Sequence, residues 1–346
     1  MAYTTIDDPS EHFNTILWTG NGGTNAITGV GFKPDWVWGK DRVGTDNHHL
    51  FDTTRGTNQR LISNSTAAEN TESNCLDSFD SDGFTLGSNT GLNANGEAHV
   101  AWNWKANGGT TASNTSGSTN STVQADTTAG FSIVTHTGTG SGSTTVGHGL
   151  GKVPAMIIVK DRGQARSWNV YHQSIGNNSG VNLNGTGAQS GADSGWWNNT
   201  SPTSSVFTLG TYENESANYV SYCFAEIQGY SKFSSYTGNG NADGPFVYTG
   251  FRPAFLLVRN SSNGGEWGMF DTARNTFNVV NARLSADSGG TEYSGDSNRD
   301  FDFLSNGIKV RNGSAQVFNT SGQTHIYMAF AEHPFVSSEG VPVTAR

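Results

Sequence analysis

Three carboxylates crowd the phrase DSFDSDGF, where Asp77, Asp80 and Asp82 precede a glycine much as oxygen ligands do in a calcium loop. Asp296, Asp300 and Asp302 form a looser echo of it. An EF-hand loop needs ligands at five or six positions and a distal bidentate Glu, and that pattern is missing. Asp-Gly before a strand is ordinary turn chemistry, so the turn is the first reading and metal binding the second. His48 and His49 adjoin, but neighbours on a strand point to opposite faces and do not share one ion. Glu213 and Glu215 in YENES are the nearest thing to the paired carboxylates of a glycan-cleaving enzyme. No Ser-His-Asp set or nucleophile elbow accompanies them. The remaining candidate is a binding site: Trp196, Trp197, Asn198 and Asn199 stand together in SGADSGWWNNTSP, flat rings for a sugar's apolar face and amides for its hydroxyls. The competing reading folds this loop over a sheet edge, with the rings inward.

What positions these residues is a phrase that occurs three times. GFKPDWVWGKDR, GLGKVPAMIIVKDR and GFRPAFLLVRNSS each place a proline, Pro34, Pro154 or Pro253, ahead of an apolar run closed by a basic residue. A TG turn lies 14 to 16 residues before each proline, at Gly20, Gly138 and Gly238. An aromatic follows each proline by 17 residues: Phe51, Tyr171 and Phe270, in HHLFDTTR, WNVYHQS and WGMFDTAR. Each stretch ends in an aromatic strand, HVAWNWKA, YVSYCFAEI or HIYMAFAEH, with Trp104 and Phe224 70 residues past their prolines and Phe330 77 past. Landmarks in one order at near-constant spacing predict a triplicated domain. Proline suits the head of a strand, and runs such as AMIIV and AFLLV are apolar on both faces, as covered central strands are. The expected fold is all-β: three tandem repeats of a β-sandwich, of jelly-roll or concanavalin-like lectin type, with loops rich in Gly, Asn, Ser and Thr.

Composition agrees. Among 346 residues there are 45 Gly and only 14% charged side chains, yet 11% aromatics, more than a disordered chain carries. The formal charge is −10, and 19 scattered Lys and Arg do not make the basic patch of a nucleic-acid binder. No apolar run approaches the ~20 residues of a membrane span, and the start, MAYTTIDDPSEHF, is acidic where a secretory leader is basic and apolar. Cys75 and Cys223 are the only thiols and are expected to stay reduced. The expected divisions are an N-terminal arm at 1–12, repeats at 13–106, 131–233 and 234–335, and a polar tail at 336–346. Residues 107–130, NGGTTASNTSGSTNSTVQADTTAG, read as a flexible linker between the first two repeats.

Read together, FNTILWTGNG, TGVGFKPDWVWGKDR, FDSDGFTLGS, VAWNWKA, SSYTGNGNADGPFVYTGFRPAFLLVR and IYMAFAEHPFVSSEGVP resemble a repeat domain common in marine tailed phages, those of cyanobacteria included. The resemblance spans nearly the whole chain. It implies a non-enzymatic virion structural protein on the particle surface, made and assembled in the host cytoplasm. It implies no catalytic residues and no cofactor. The expected role is a tail fibre or adhesin whose loops meet a host-surface receptor, with a glycan as one candidate. A capsid decoration protein at a pseudo-threefold position is the alternative, and a glycan depolymerase the remote one. Partners would then be other tail or capsid proteins, with homotrimers common among fibres. Tyr3 and Ile6, the sizeable apolar side chains of the arm, are the candidates for virion docking. The second repeat has SPTSSVFTLGT where the first has FDSDGFTLGS, so no role of those acids is shared by all three.

Overall fold

The repeated prolines sit where central strands begin or bend. In a computed structural model, which describes residues 2–295, 299–311, 313 and 317–343, the chain is all-β, built of several antiparallel sheets with no barrel among the described residues. Pro154 opens the strand Pro154–Asp161, and its register against the neighbouring strand slips between Pro154 and Met156. Pro253 lies at a similar irregularity inside Phe251–Asn260. Proline donates no ladder hydrogen bond, so a strand head or a bulge is where a sheet accepts it.

Three large sheets share one strand order. Each opening strand (Phe13–Thr19, Phe131–Thr137, Ser231–Thr237) pairs with its closing strand (Ala98–Trp104, Asn218–Ala225, Thr324–Pro334). The closing strand pairs in turn with the proline-headed strand (Trp36–Asp41, Pro154–Asp161, Phe251–Asn260). A small outer sheet accompanies each large one: Asn25–Thr28 with Gly83–Leu86 and Leu76–Asp80, Thr144–Gly147 with Val206–Leu209, and Phe246–Tyr248 with Gly307–Val310 and Phe301–Leu304. These make three sheet groups.

Strand alternation divides the apolar side chains between two kinds of core. Val37, Ile157 with Val159, and Leu256 with Val258 face outward into three separate cores closed by the small sheets. Trp36 with Trp38, Met156 with Ile158, and Phe255 with Leu257 face inward into one core shared by all three groups. At its centre the closing-strand aromatics meet pairwise: ring centroids are 6.4 Å apart for Trp104–Phe224, 5.8 Å for Trp104–Phe330 and 6.2 Å for Phe224–Phe330. Burying each phenylalanine ring contributes ~1.5–3 kcal/mol, and the larger indole somewhat more.

The TG turns are held alike in each group. A Cβ on Gly20, Gly138 or Gly238 would lie 2.1, 2.0 or 2.4 Å from a facing carbonyl oxygen, so only glycine fits. Beyond each glycine, a buried asparagine, Asn93, Asn214 or Asn319, accepts a backbone N–H at 2.9 Å on its side chain.

The joints between groups also correspond. Fourteen residues past each proline a ring nitrogen reaches a backbone carbonyl of another group: His48 Nε2 to Ser285 (3.0 Å), Trp168 Nε1 to Ile62 (2.8 Å), Trp267 Nε1 to Asn182 (2.9 Å). The contacts thus run from first to third, second to first and third to second. A backbone hydrogen bond repeats at each joint as well: Glu69 N to Arg162 O, Gln189 N to Ser261 O, and Glu292 N to Arg42 O.

Side chains at two joints build matching ionic clusters. Asp52 accepts from Tyr222 (2.7 Å) and Arg55, which also holds Glu69, itself bound by Arg162. Asp271 accepts from Trp102 (3.0 Å) and Arg274, which also holds Glu292, itself bound by Arg42. Burial alone would raise the Glu69 and Glu292 carboxyls, but the guanidiniums hold both below the ordinary value. At the joint of the second and third groups every member differs at once. His172, Ile175, Gln189 and Ser261 stand in the acid, arginine, acid and arginine positions, and Met328 replaces the aromatic donor. His172 instead meets the Tyr327 carbonyl at 3.1 Å. A buried ion pair broken on one side strands a charge, whereas its replacement as a set does not.

Two expected divisions do not hold as drawn. Within residues 107–130, Ala112–Asn114 and Ser121–Asp126 are strands that extend the second large sheet, the latter paired from Phe131 to His136. The polar composition hid them because strands added at a sheet's margin need only their backbone ladder and a few anchors. Here Val123 is buried, and the Gln124 amide bridges to Thr53 (2.8 Å) and Thr54 (3.0 Å). The boundary at 233/234 cuts the strand Ser231–Thr237.

Arg274→Met leaves Asp271 and Glu292 buried with lost partners and is expected to cost ~3–5 kcal/mol in urea unfolding. Asp271→His combined with Arg274→Ile, the pair found at the second-to-third joint, is expected to cost less than Arg274→Met alone. A double variant as unstable as the single one would contradict the set-wise account.

Candidate functional site

The tryptophan loop is a short helix, Ser194–Trp197, whose first turn is capped by Asp193 accepting from Gly195 N at 2.7 Å. Trp197 is 1% exposed, lies edge-on to Tyr171 in the second group's outer core, and donates Nε1–H to the Ser179 carbonyl at 2.9 Å. Trp196 is half-buried and covers Gly180 so closely that a Cβ there would sit 2.2 Å from the indole, while Tyr212 meets it edge-on. Asn198 and Asn199 stay exposed, both at φ 50, the left-handed geometry asparagine tolerates as a helix ends. The four expected sugar-site residues are therefore neighbours in space, but Trp197 presents no face to a ligand. The loop folds over the sheet edge with its rings inward.

The acidic turn is likewise occupied by its own chain. Asp80 accepts from Ser78 and Thr85 hydroxyls, both at 2.7 Å. Asp82 accepts from Gly29 N (3.0 Å) and Gly31 N (2.7 Å), tying the turn to the neighbouring strand's end. Asp77 lies against Gly87. Asp302 pairs with Arg311 at 3.1 Å, and Asp296 lies outside the described residues. No group of three or more His, Cys, Asp or Glu side chains among the described residues could hold a metal ion.

His48 and His49 diverge to opposite faces as strand geometry requires. His48 accepts from Trp38 Nε1 at 2.9 Å on the inner side. His49 lies 3.5 Å from the Cys75 sulfur on the outer side. Burial holds both imidazoles neutral, His49 with a pKa lowered to about 3, the Arg60 charge adding to the effect. Burial also pushes the Cys75 thiol up to about 12, and both cysteines are free and buried.

The arm is tied down. Ile6 is 4% exposed within the shared inner core, and Asp7 accepts from Ser338 N at 2.7 Å. Tyr3 donates to the Gly250 carbonyl at 2.8 Å and touches the Tyr248 hydroxyl at 3.2 Å. Of the two residues expected to dock the chain to a virion, Ile6 is thus a core side chain that docking would pull into water, while Tyr3 lies at the surface of the third group.

Glu213 and Glu215 lie in different environments. Glu215 is exposed beside Arg166 at 3.1 Å. Glu213 is buried against the Asn169 amide, and desolvation with the nearby Asp161 charge raises its carboxyl well above the ordinary value. Sequence spacing gave no sign of that burial.

Three further depressions have mixed polar and apolar linings. One of ≈ 280 Å³ lies along the outer side of Phe13–Thr19, between Asn14, Thr15, Thr272 and Glu332. Another, of ≈ 250 Å³, is walled by Tyr3, Tyr248, Glu226, Gln228, Lys232 and the backbone at Gly250. A depression of ≈ 470 Å³ shares Tyr3 and Gln228 with it.

A family profile described as Domain of unknown function (DUF7483) matches residues 8–334, and the chain belongs to that family. No curated protein and no solved structure matches the chain.

Trp197→Ala removes a core ring and a hydrogen bond and is expected to cost ~3–5 kcal/mol of stability. Trp196→Ala is expected to cost less than half of that in the same urea titration. Equal, small losses for both would place Trp197 on the surface after all.

Proposed function

We propose that this member of the family is a chemically passive structural protein of a phage particle, of tail-fibre or adhesin type. In this reading it is built from three copies of one β-sandwich module of jelly-roll or lectin-like kind, each with a large inner and a small outer sheet. The observation that carries the passive role is where the ionisable groups have gone. Asp52, Asp271, Glu69, Glu292, Arg55 and Arg274 hold joints, Asp80 and Asp82 hold turns, and the buried histidines carry backbone carbonyls or stack on rings. Groups committed to fixed partners serve rigidity, and a rigid sheet frame is what displayed loops need. The resemblance to phage virion domains supplies the setting, with tail or capsid proteins as partners and the particle surface as location.

One observation favours a second reading, a decoration protein seated on a capsid threefold. The joints run cyclically through all three groups, even though the strands of segment 107–130 extend the second large sheet alone.

Labelling purified particles with an antibody to this chain tests both. Label at the tail supports the adhesin reading, and label spread over the head at high copy number supports decoration. Particles without the chain would refute both.

A further inference from the structure

Two aromatic side chains of the third group stand half in water on one edge strand. Phe246–Tyr248 is an edge strand of its small sheet, pairing only with Gly307–Val310 among the described residues. Val247 points into the outer core, while Phe246 and Tyr248 are 48% and 53% exposed. The other two groups show what this position needs. Ile27 and Val146 are the buried counterparts of Val247, paired with Phe84 and Phe207 as Val247 is with Ile308. Their flanking residues are Ala26 and Thr28, and Thr145 and Gly147. Small side chains suffice at this position in the other two groups; here the Phe246 ring covers Gly307, where a Cβ would lie 2.9 Å from it, which leaves Tyr248 as the large exposed ring without such a role.

The surroundings of Tyr248 supply one. Its ring walls the ≈ 250 Å³ pocket, which through Tyr3 and Gln228 continues into the ≈ 470 Å³ depression beside Ser338 and Glu339. The two hydroxyls lie 3.2 Å apart, and Tyr3 is further fixed by the Gly250 carbonyl, so the ring ends are held while part of the Tyr248 surface stays open. Around the rings stand an exposed amide, Gln228, and the Glu226–Lys232 pair at 2.6 Å. Lys232 is already neutralised by Glu226, Glu339 lines the neighbouring depression, and the chain carries a net −10, so an anion finds no attraction. The cleft suits a neutral polyhydroxylated ligand. Its C–H face can lie on the tyrosine, and its hydroxyls can exchange hydrogen bonds with the amide, carboxylate and ammonium.

We propose that this cleft of the third group binds a neutral saccharide, with Tyr248 as the stacking platform and Gln228 and Glu226 as hydroxyl partners. This deepens the adhesin reading by assigning the receptor chemistry, and it moves the sugar site from the second group's tryptophans to the third group's tyrosines.

The test uses the purified full chain and oligomers of glucose, galactose, mannose and N-acetylglucosamine, followed by saturation-transfer NMR and calorimetric titration. At least one series is expected to bind. Tyr248→Ala and Gln228→Ala are each expected to weaken it tenfold or more, Gln228→Ala without lowering Tm since its side chain is exposed. Trp196→Ala is expected to leave the affinity within twofold. Binding by none of the series, or binding lost in Trp196→Ala and kept in Tyr248→Ala, would overturn the assignment. The experiment needs no particle, so sugar binding by a chain missing from virions would contradict the display role and leave this site standing.

Discussion

Three aromatic rings from three distant parts of the chain, Trp104, Phe224 and Phe330, meet at one place, and the rest of the structure is arranged around that contact. A Gly-rich chain with a mean hydropathy of −0.48 and long polar loops has little apolar surface for its length. Divided among three independent sandwiches, that surface would make three marginal domains, because small domains bury a smaller share of their area. Pooling the inner faces of three sheets gives one larger core. Trp36 stacking on Tyr222 at 4.2 Å and Phe13 on Phe330 at 4.9 Å show how far the pooling goes, since each pair joins different sheet groups.

Sharing a core requires fixed angles between the sheets, and the polar joints provide them. Ring N–H groups and backbone hydrogen bonds recur at every joint, whereas the ionic clusters recur at only two. The third joint shows the rule by its exception. A carboxylate at position 172 would face Met328, which donates nothing, so a histidine there reaches past it to a backbone carbonyl. With the carboxylate gone, an arginine at position 175 would be a charge without a partner, and isoleucine takes its place, packed against the inner core. Each change removes the reason for the next, as desolvation costs require.

Much of this was legible in the sequence, for physical reasons that can be named. Central strands covered on both faces write continuous apolar runs, which is why AMIIV and AFLLV stand out. The TG glycines were visible as landmarks because no Cβ fits there. Even the set-wise change was printed in FDTTR, YHQSIG and FDTAR, although nothing showed what it meant, because Asp52 and Tyr222 lie 170 residues apart. Other features had no local signature. The strand Ser121–Asp126 is held by its ladder and a few anchors, so its composition imitates a linker. A four-residue helix is too short for a period, so the inward turn of Trp197 could not be seen. The arm's single core contact, Ile6, is one apolar residue among polar ones.

A pooled core also suits the proposed display role, because loops on three groups then share one rigid frame. Its sharpest consequence is cooperativity, which differential scanning calorimetry of the full chain measures directly. One transition, with calorimetric and van't Hoff enthalpies equal, is the result expected when no group can lose its inner face alone. Separate transitions, or a calorimetric enthalpy several times the van't Hoff value, would mean three self-sufficient sandwiches on a string and would contradict the account at its centre.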